Sequence, residues 1–409
     1  MALSANNINV ELIKFKRKLT WTFLRENRFD PYTGDSPTNI FQRVMDLEAN
    51  GKQINIPLLD QLKGAGVTTG ALVNNEDVLD NYGMPLWCDW ARNAVVFNKA
   101  VKKESSINIR DAATPALQGW ARRIRRDDSI AALLSIPTAA IPPNYHGSGG
   151  VGQNGRVNGL IWSAATATQQ NNWLTANNDR VLFGAKHSNT VAGNVASSML
   201  NIAAATDKMS AAVGLMAKRQ AMQTTALALW PAIKPYQVVE YDQEWFVCFI
   251  GSRAYRDLAA DSAMLNANLQ ARQREQDPVK TNPIFTGAHL VKDGVVYREI
   301  PEIDNYYILG TGTVTAPNGP LAGKGAGAPA IDVAPCFMCG QSAYAYVLGQ
   351  LPRSTRRKED DYEYLDGIGI EMQYSYGKIA KAPVGSPGTN TDLKDWGVLT
   401  FFVAATPDT

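Results

Sequence analysis

Cys336 and Cys339 form a Cys-x-x-Cys pair, the sharpest chemical signal in the chain. Thiolates at that spacing can supply half of a tetrahedral zinc site, the other half coming from a second such pair or from spaced histidines. Here Cys88 and Cys248 are isolated, and His146, His187 and His289 lie far apart. The flanking pattern is not the βαβ arrangement of a redox pair, so both thiols read as buried structural residues. Gly147, Gly149 and Gly152 match the letters of a dinucleotide fingerprint. No strand precedes them and no helix opens after them, so a phosphate would find no helix N-terminus. The stretch GPLAGKGAG from Gly319 to Gly327 lacks both the spacing and the Ser or Thr of a phosphate-binding loop. His187 and Ser188 are adjacent, which rarely lets side chains face each other, and no Gly-x-Ser-x-Gly elbow exists. Three histidines in 409 residues leave little for acid–base work, although carboxylates could substitute. The pattern points away from an enzyme, with no cofactor implied.

A second kind of chemistry is recognition by charge. RRIRRDD carries Arg122, Arg123, Arg125 and Arg126 beside Asp127 and Asp128. LPRSTRRKEDD carries Arg353, Arg356, Arg357 and Lys358 beside Glu359, Asp360 and Asp361. In a chain that meets copies of itself, adjacent blocks of opposite sign can match head to tail and set register. The arginine cluster could also touch DNA. In a monomer the same blocks are solvated faces worth little.

Composition bounds the elements that hold these groups. Hydrophobic residues make up 45% and charged residues 19%, as in a folded protein. At 409 residues two or three lobes are expected. Forty basic against 38 acidic residues give +2, without the basic bias of a specific nucleic-acid binder. No apolar run reaches the roughly 18 residues of a membrane span, and the N-terminus lacks a signal-peptide core. Four scattered cysteines suggest a reduced, cytosolic setting.

Residues 1–50 read as an arm with no core of its own. Residues 51–103 read as a two-stranded projection: Ile54, Ile56 and Leu58 alternate on one strand, and Trp87 and Trp90 lie on the return. A lone hairpin is marginal in water, so this one must lie on a neighbour, in its own chain or another. Thr114 and Pro115 predict the start of a helix running to about Ser135. Residues 137–194 read as a loop-rich insertion, and Val195 to about Thr225 as one long alanine-rich helix. Leu365–Ser375 and Gly397–Ala404 read as strands, which makes the chain α+β.

The stretch from Glu244 to Ile303 is the centre of the chain. Trp245–Ile250 is an unbroken apolar run of strand length, covered on both faces. Ser252 reads as an N-cap, followed by a helix of about six turns carrying Tyr255, Leu258, Ala259, Leu265 and Leu269 on one side. Asp277-Pro278 and Asn282-Pro283 stop it. Asp293-Gly294 then turns the chain into a strand at Val295–Tyr297. A buried strand leading to DLAAD, a long helix, NPIFTG and DGVVYREI in that order resembles the central signature of tailed-bacteriophage major capsid proteins, whose shell fold also floors herpesvirus capsids.

The resemblance implies a peripheral domain with a spine helix, an axial domain, an extended loop and an N-terminal arm. It places the arm at 1–50, the extended loop at 51–103, and the peripheral domain at 104–225. The axial domain falls at 226–352, and the C-terminal strands return at 353–409. It implies assembly into hexamers and pentamers of an icosahedral shell around double-stranded DNA, in the virion after assembly in the host cytoplasm. The implied partners are further copies, a separate scaffolding protein, portal and decoration proteins, and packaged DNA contacted non-specifically, with no membrane. Ile54, Ile56, Leu58, Trp87, Trp90, the four arginines from Arg122 to Arg126, Arg356, Arg357, Asp360 and Asp361 are then the candidate contacts between subunits. A nanocompartment, sheath or tail component shares these features. A soluble hydrolase with residues 137–194 as a lid is a more distant alternative.

Overall fold

The structure, a computed structural model, describes residues 27–47, 51, 53–59, 66–76, 81–104, 109–138, 155–223, 232–238, 243–272, 290–306, 308, 331–357, 364–381 and 393–406. The arm helix expected before residue 27 and the glycine motifs at 147–152 and 319–327 lie outside them.

The first described elements show what residues 27–47, with no core of their own, pack on. Thr33–Gly34 (β1) pairs in parallel with Phe41–Val44 (β2). Phe29 and Phe41 are fully buried, and the Phe41 ring stacks 4.0 Å from Tyr344. Apolar side chains spaced along this segment meet a sheet already exposed to them, so the segment becomes cover for it. Gln53–Leu59 (β3) and Asn81–Trp87 (β4) form an antiparallel hairpin with Ile56 opposite Met84. Pro57 is exposed on this two-stranded ribbon, where its missing donor disrupts no central ladder.

Asp89–Asn98 (β5) leads through Lys99–Glu104 (α1) to Ile109–Leu134 (α2). The helix starts before the predicted cap, and Pro115 lies inside it. Ala113, Leu117 and Ala121 are buried at four-residue steps, and from Asp128 onward every residue of α2 is buried.

The insertion holds more structure than expected: Val157–Asn158 (β6), Ala167–Ala176 (α3) and Val181–Phe183 (β7). Thr166 and Gln169 close a capping box at the start of α3. The expected long helix is two short ones, Val195–Leu200 (α4) and Ala211–Met222 (α5). Between them the buried Asp207 carboxylate accepts from the Ala185 and Ala203 amides and from Asn189 Nδ2. Ser210 then caps a new helix. A polar knot of that kind outweighs alanine's helical propensity.

Tyr236–Val238 (β8) pairs with Gln243–Ile250 (β9), and Ser252–Ala260 (α6) follows. Ser252 is the first helical residue and not its cap; its amide and hydroxyl donate to Asp304. The predicted six-turn helix breaks at Asp261 and resumes as Ser262–Arg272 (α7). Asp261 is extended because its carboxylate accepts from the Ala211 amide, satisfying an orphan donor at the N-terminus of α5. Leu290–Lys292 (β10) and Val295–Glu299 (β11) join through Asp293 and Gly294, both at positive φ, as a two-residue hairpin of this hand requires. The remaining strands are Val333–Cys339 (β12), Tyr344–Arg356 (β13), Leu365–Lys378 (β14), Ala380–Lys381 (β15), Lys394–Asp395 (β16) and Val398–Ala404 (β17).

Two larger sheets result. One runs β10-β11-β9-β12-β17-β7 with β8 beside β9; the other runs β1-β2-β13-β14-β5 with β6 beside β14. In the first, Phe246, Cys248 and Ile250 share a face with Cys336, Met338, Leu399 and Phe401, buried with α5, α6 and α7 side chains in one cluster. The opposite face is aromatic. Phe249 meets Phe29 and Phe41 at 5.0 and 5.5 Å, and Phe402 meets Phe183 and Trp162 at 5.3 and 5.9 Å. The chain divides into two compact units, one of 1–27, 91–125 and 351–372, the other of 28–90, 126–350 and 373–409. Everything in the seven-stranded sheet belongs to the second.

Helix α5 reaches the sheet through Gly214. A Cβ there would lie 1.8 Å from the Tyr297 hydroxyl oxygen. Gly214→Ala is expected to lower stability by about 1–3 kcal/mol through overpacking, read as a lower denaturant midpoint. Adding Tyr297→Phe should recover part of the loss.

Candidate functional site

The residues that bear on function are surfaces. In α2 the charge blocks are not side by side, because successive residues turn by about 100°. Arg122 and Arg123 are exposed. Arg126 is drawn inward, its Nη1 donating to Glu302 at 3.0 Å and its Nη2 to Asp127 at 3.1 Å. Asp128 is buried and accepts from Arg156 Nε at 2.8 Å and the Tyr374 hydroxyl at 2.7 Å. Burial, then the neighbouring Asp128 charge, pushes the Tyr374 phenol well above its ordinary range. The acidic half of RRIRRDD is thus consumed inside the chain, leaving its first two arginines outward. Arg125 is half-buried.

β13 shows the opposite behaviour along one strand. Residues 344–349 are buried, whereas 351–354 and 356 are exposed, so both faces of the strand's end meet solvent. Arg353 pairs with Glu371 at 2.5 Å and Arg356 with Asp366 at 3.5 Å. The second basic block therefore finds acids on β14 of its own chain, a pairing that distance along the sequence hides. Arg357 is exposed; Asp360 and Asp361 lie outside the described residues.

The hairpin is part core and part projection. Ile56 and Leu58 pack with Met84, Leu86, Val347, Ile379 and Leu393, and Ile54 is half-buried against them. Trp87 is fully buried and its carbonyl accepts from Ser375 Oγ. Ile56, Leu58 and Trp87 are corrected as contact candidates on this ground: alternation turns Ile56 and Leu58 into their own chain's interior, and Trp87, on the other face of the ribbon, is buried as well. The exposed apolar groups are instead Leu72 (63%) and Val73 (69%) between the strands, Leu59 (59%), and Trp90 (38%) just past the return strand.

No accessible chemistry competes with these surfaces among the described residues. Cys336 and Cys339 are fully buried in β12, and burial raises both thiols well above their ordinary range. Burial likewise pushes Cys88 up to about 12. His187 and Ser188 sit exposed on a short 3-10 turn. No group of three or more His, Cys, Asp or Glu is placed to hold a metal, and no helix is long and apolar enough to cross a membrane, among the described residues. A cavity of about 370 Å³ is lined by Pro31, Tyr32, Ile40, Tyr236, Trp245 and Val247, with no general base.

The sequence reading missed one buried ionic group. Lys378 Nζ lies 2.9 Å from Asp395 Oδ2, both side chains 1% exposed, and 5.4 Å above the Trp173 ring. Arg180 donates to the carbonyls of Asp395 and Trp396, and Lys394 pairs with Asp179 at 2.6 Å. Burial pushes the Asp395 carboxyl up, opposed by Lys378 and Arg180. The pair ties β14 to β16, and nothing in the local pattern around either residue announces it. Removing one partner leaves a buried charge, so Asp395→Ala is expected to cost about 3–5 kcal/mol. The double change Lys378→Met with Asp395→Leu should cost much less, as read by denaturant unfolding.

Comparison with known proteins gives these surfaces a context. A family model described as phage capsid protein matches residues 4–406. The chain is similar to the capsid asymmetric unit of cyanophage Pam1, with 29% identity, 100% of both chains covered and a TM-score of 0.79. It is similar in fold to the capsid of Ralstonia phage GP4, at 16% identity over 99% of this chain and 100% of that one, TM-score 0.64. The head structure of Helicobacter pylori bacteriophage KHP40 gives 14% identity, 98% and 99% coverage and a TM-score of 0.65. No curated protein sequence matches the chain.

Proposed function

The chain belongs to the phage capsid protein family, and from that premise we propose that it builds the hexamers and pentamers of an icosahedral head enclosing double-stranded DNA. It is a structural shell protein and a virion component, with the mixed helix-and-sheet fold of tailed-phage capsids, and its role is self-association, not catalysis. The observation that carries the finer reading is a structural match running the whole length of both chains. The tail-component and hydrolase alternatives are set aside, since the family model is a capsid model and spans nearly every residue.

Within this reading α2 is the spine helix, the β3–β4 hairpin with its tip is the extended loop, and the seven-stranded sheet forms the axial domain. The arm narrows from 1–50 to the residues ahead of Phe29, since Phe29 and Phe41 pack on the subunit's own sheets, and the 353–409 segment divides, β14 lying in the six-stranded sheet while β17 completes the seven-stranded one. Support for the loop assignment comes from its two-part character. A buried base holds the hairpin on its own chain, while Leu72 and Val73 stay exposed at the tip, where a neighbouring copy would cover them. Trp90, Arg122, Arg123, Arg356 and Arg357 are the contact candidates that remain outward. Interfaces of obligate assemblies commonly bury about 2,000–5,000 Å². A separate scaffolding protein, a portal, decoration proteins and non-specific contact with packaged DNA complete the proposed partners, with assembly in the host cytoplasm.

Electron microscopy with sedimentation of the purified chain, alone and with candidate scaffold, tests the proposal. Closed shells or rings of five or six are expected; a monomer under every condition, scaffold included, would refute it. Leu72→Asp with Val73→Asp should leave the melting temperature nearly unchanged and abolish shells. Normal shells from that variant would remove the tip from the interface.

A further inference from the structure

The buried ionic group beside Trp173 sets a nucleophile against a carboxyl where water does not reach. Lys378 Nζ lies 2.9 Å from Asp395 Oδ2, and both side chains are 1% exposed. Their charges are poorly answered there. An ammonium carries three donors, and among the described residues Lys378 Nζ has one acceptor, Asp395 Oδ2. Asp395 Oδ1 is buried and accepts no hydrogen bond among those residues. Keeping two ions so incompletely paired away from water is costly. The neighbouring pair is different: Lys394 meets Asp179 at 2.6 Å, but the Asp179 side chain is 26% exposed and keeps its solvent. The site is also held in place. Asp395 N donates to Asn177 Oδ1, Asn177 Nδ2 donates to the Leu393 carbonyl, and Arg180 donates to the carbonyls of Asp395 and Trp396. Two groups fixed in contact react far faster than the same groups free in water.

We propose that Lys378 and Asp395 condense into an intramolecular amide, Nζ of the one bonded to Cγ of the other. One ammonium proton first passes to the carboxylate along the 2.9 Å contact, leaving a free amine and a carboxylic acid. Burial favours this neutral pair, since it pushes the Asp395 carboxyl upward. The Nζ lone pair then attacks Cγ, and negative charge develops on Oδ1. The Trp173 N–H favours negative charge on this carboxyl, although it is not aligned for a hydrogen bond in the uncondensed pair. It stabilises the developing oxyanion. A second Nζ proton leaves with Oδ2 as water, so one amine and one acid give one amide and one water. No oxidant or cofactor enters. With both charges gone and solvent excluded, the amide is protected from hydrolysis. The bond joins the end of β14, in the six-stranded sheet, to β16, which leads directly into β17 of the seven-stranded one. The two sheets are then stapled covalently. Until the bond forms, the residues behave as the ion pair described above. The proposal stands on this site alone and is independent of the shell reading.

The test is intact-mass spectrometry of the purified full chain, followed by tryptic mapping. The chain should be lighter than its sequence mass by one water. A lysine in amide linkage is no longer a trypsin site, so a branched peptide joining residues 359–381 to 395–409 should replace the linear peptides 359–378 and 395–409. Lys378→Met should show its full sequence mass and a linear 395–409 peptide. Lys394→Gln, which breaks the more exposed pair, should keep the water loss. Trp173→Phe retains a ring and removes the N–H, so a smaller fraction of its chains should carry the bond, with circular dichroism reporting the fold. Full sequence mass in the folded, unaltered chain would overturn the proposal, and that measurement needs no variant to fold. A water loss mapped to a linear peptide would overturn it equally. Complete condensation in Trp173→Phe would strike out the role given to the indole.

Discussion

The seven-stranded sheet must be covered on both faces, and most of the fold follows from that requirement. β9, β12 and β17 present apolar side chains in both directions, so neither face can meet water. Helices α5, α6 and α7 cover one face. On the other, Phe29, Phe41 and Trp162 lay tilted and stacked rings on Phe249 and Phe402. A shift of one residue in the pairing of β12 with β17 would exchange the two sets of side chains between the faces. Register and cover therefore specify each other.

This division separates what the subunit completes alone from what it leaves open. The sheet is covered and the Asp128–Arg156–Tyr374 group and the Lys378–Asp395 pair are joined within one chain. The hairpin tip and the two-faced end of β13 stay exposed. A shell protein combines a rigid body with surfaces for its own copies, and here the self-contained core and the exposed tip and strand end lie in different residues.

Much of the rigid body was legible in the sequence because it rests on local apolar runs. Trp245–Ile250, Val295–Tyr297, Leu365–Ser375 and Gly397–Ala404 all read as strands, and Asp293-Gly294 as their turn, from patterns a few residues long. What could not be read depends on distant partners. Asp261 breaks a helix because a different helix needs its carboxylate, and Asp207 holds α4 and α5 apart by accepting from the Ala185 amide and the Asn189 side chain as well as from Ala203. Residues 29–41 leave the supposed arm because a bare sheet face lies elsewhere. Ile56, Leu58 and Trp87 looked like contact residues since alternation tells which residues share a face but not what covers it.

Hydrogen exchange on dissociated subunits and assembled particles tests this separation most directly. Amides of β9, β12 and β17 should exchange equally slowly in both states, while residues 66–76 and 351–356 should gain protection only on assembly. Slow exchange of β12 and β17 that appears only in particles would contradict a self-contained core. Unchanged exchange at 66–76 and 351–356 would contradict the claim that other copies complete those surfaces.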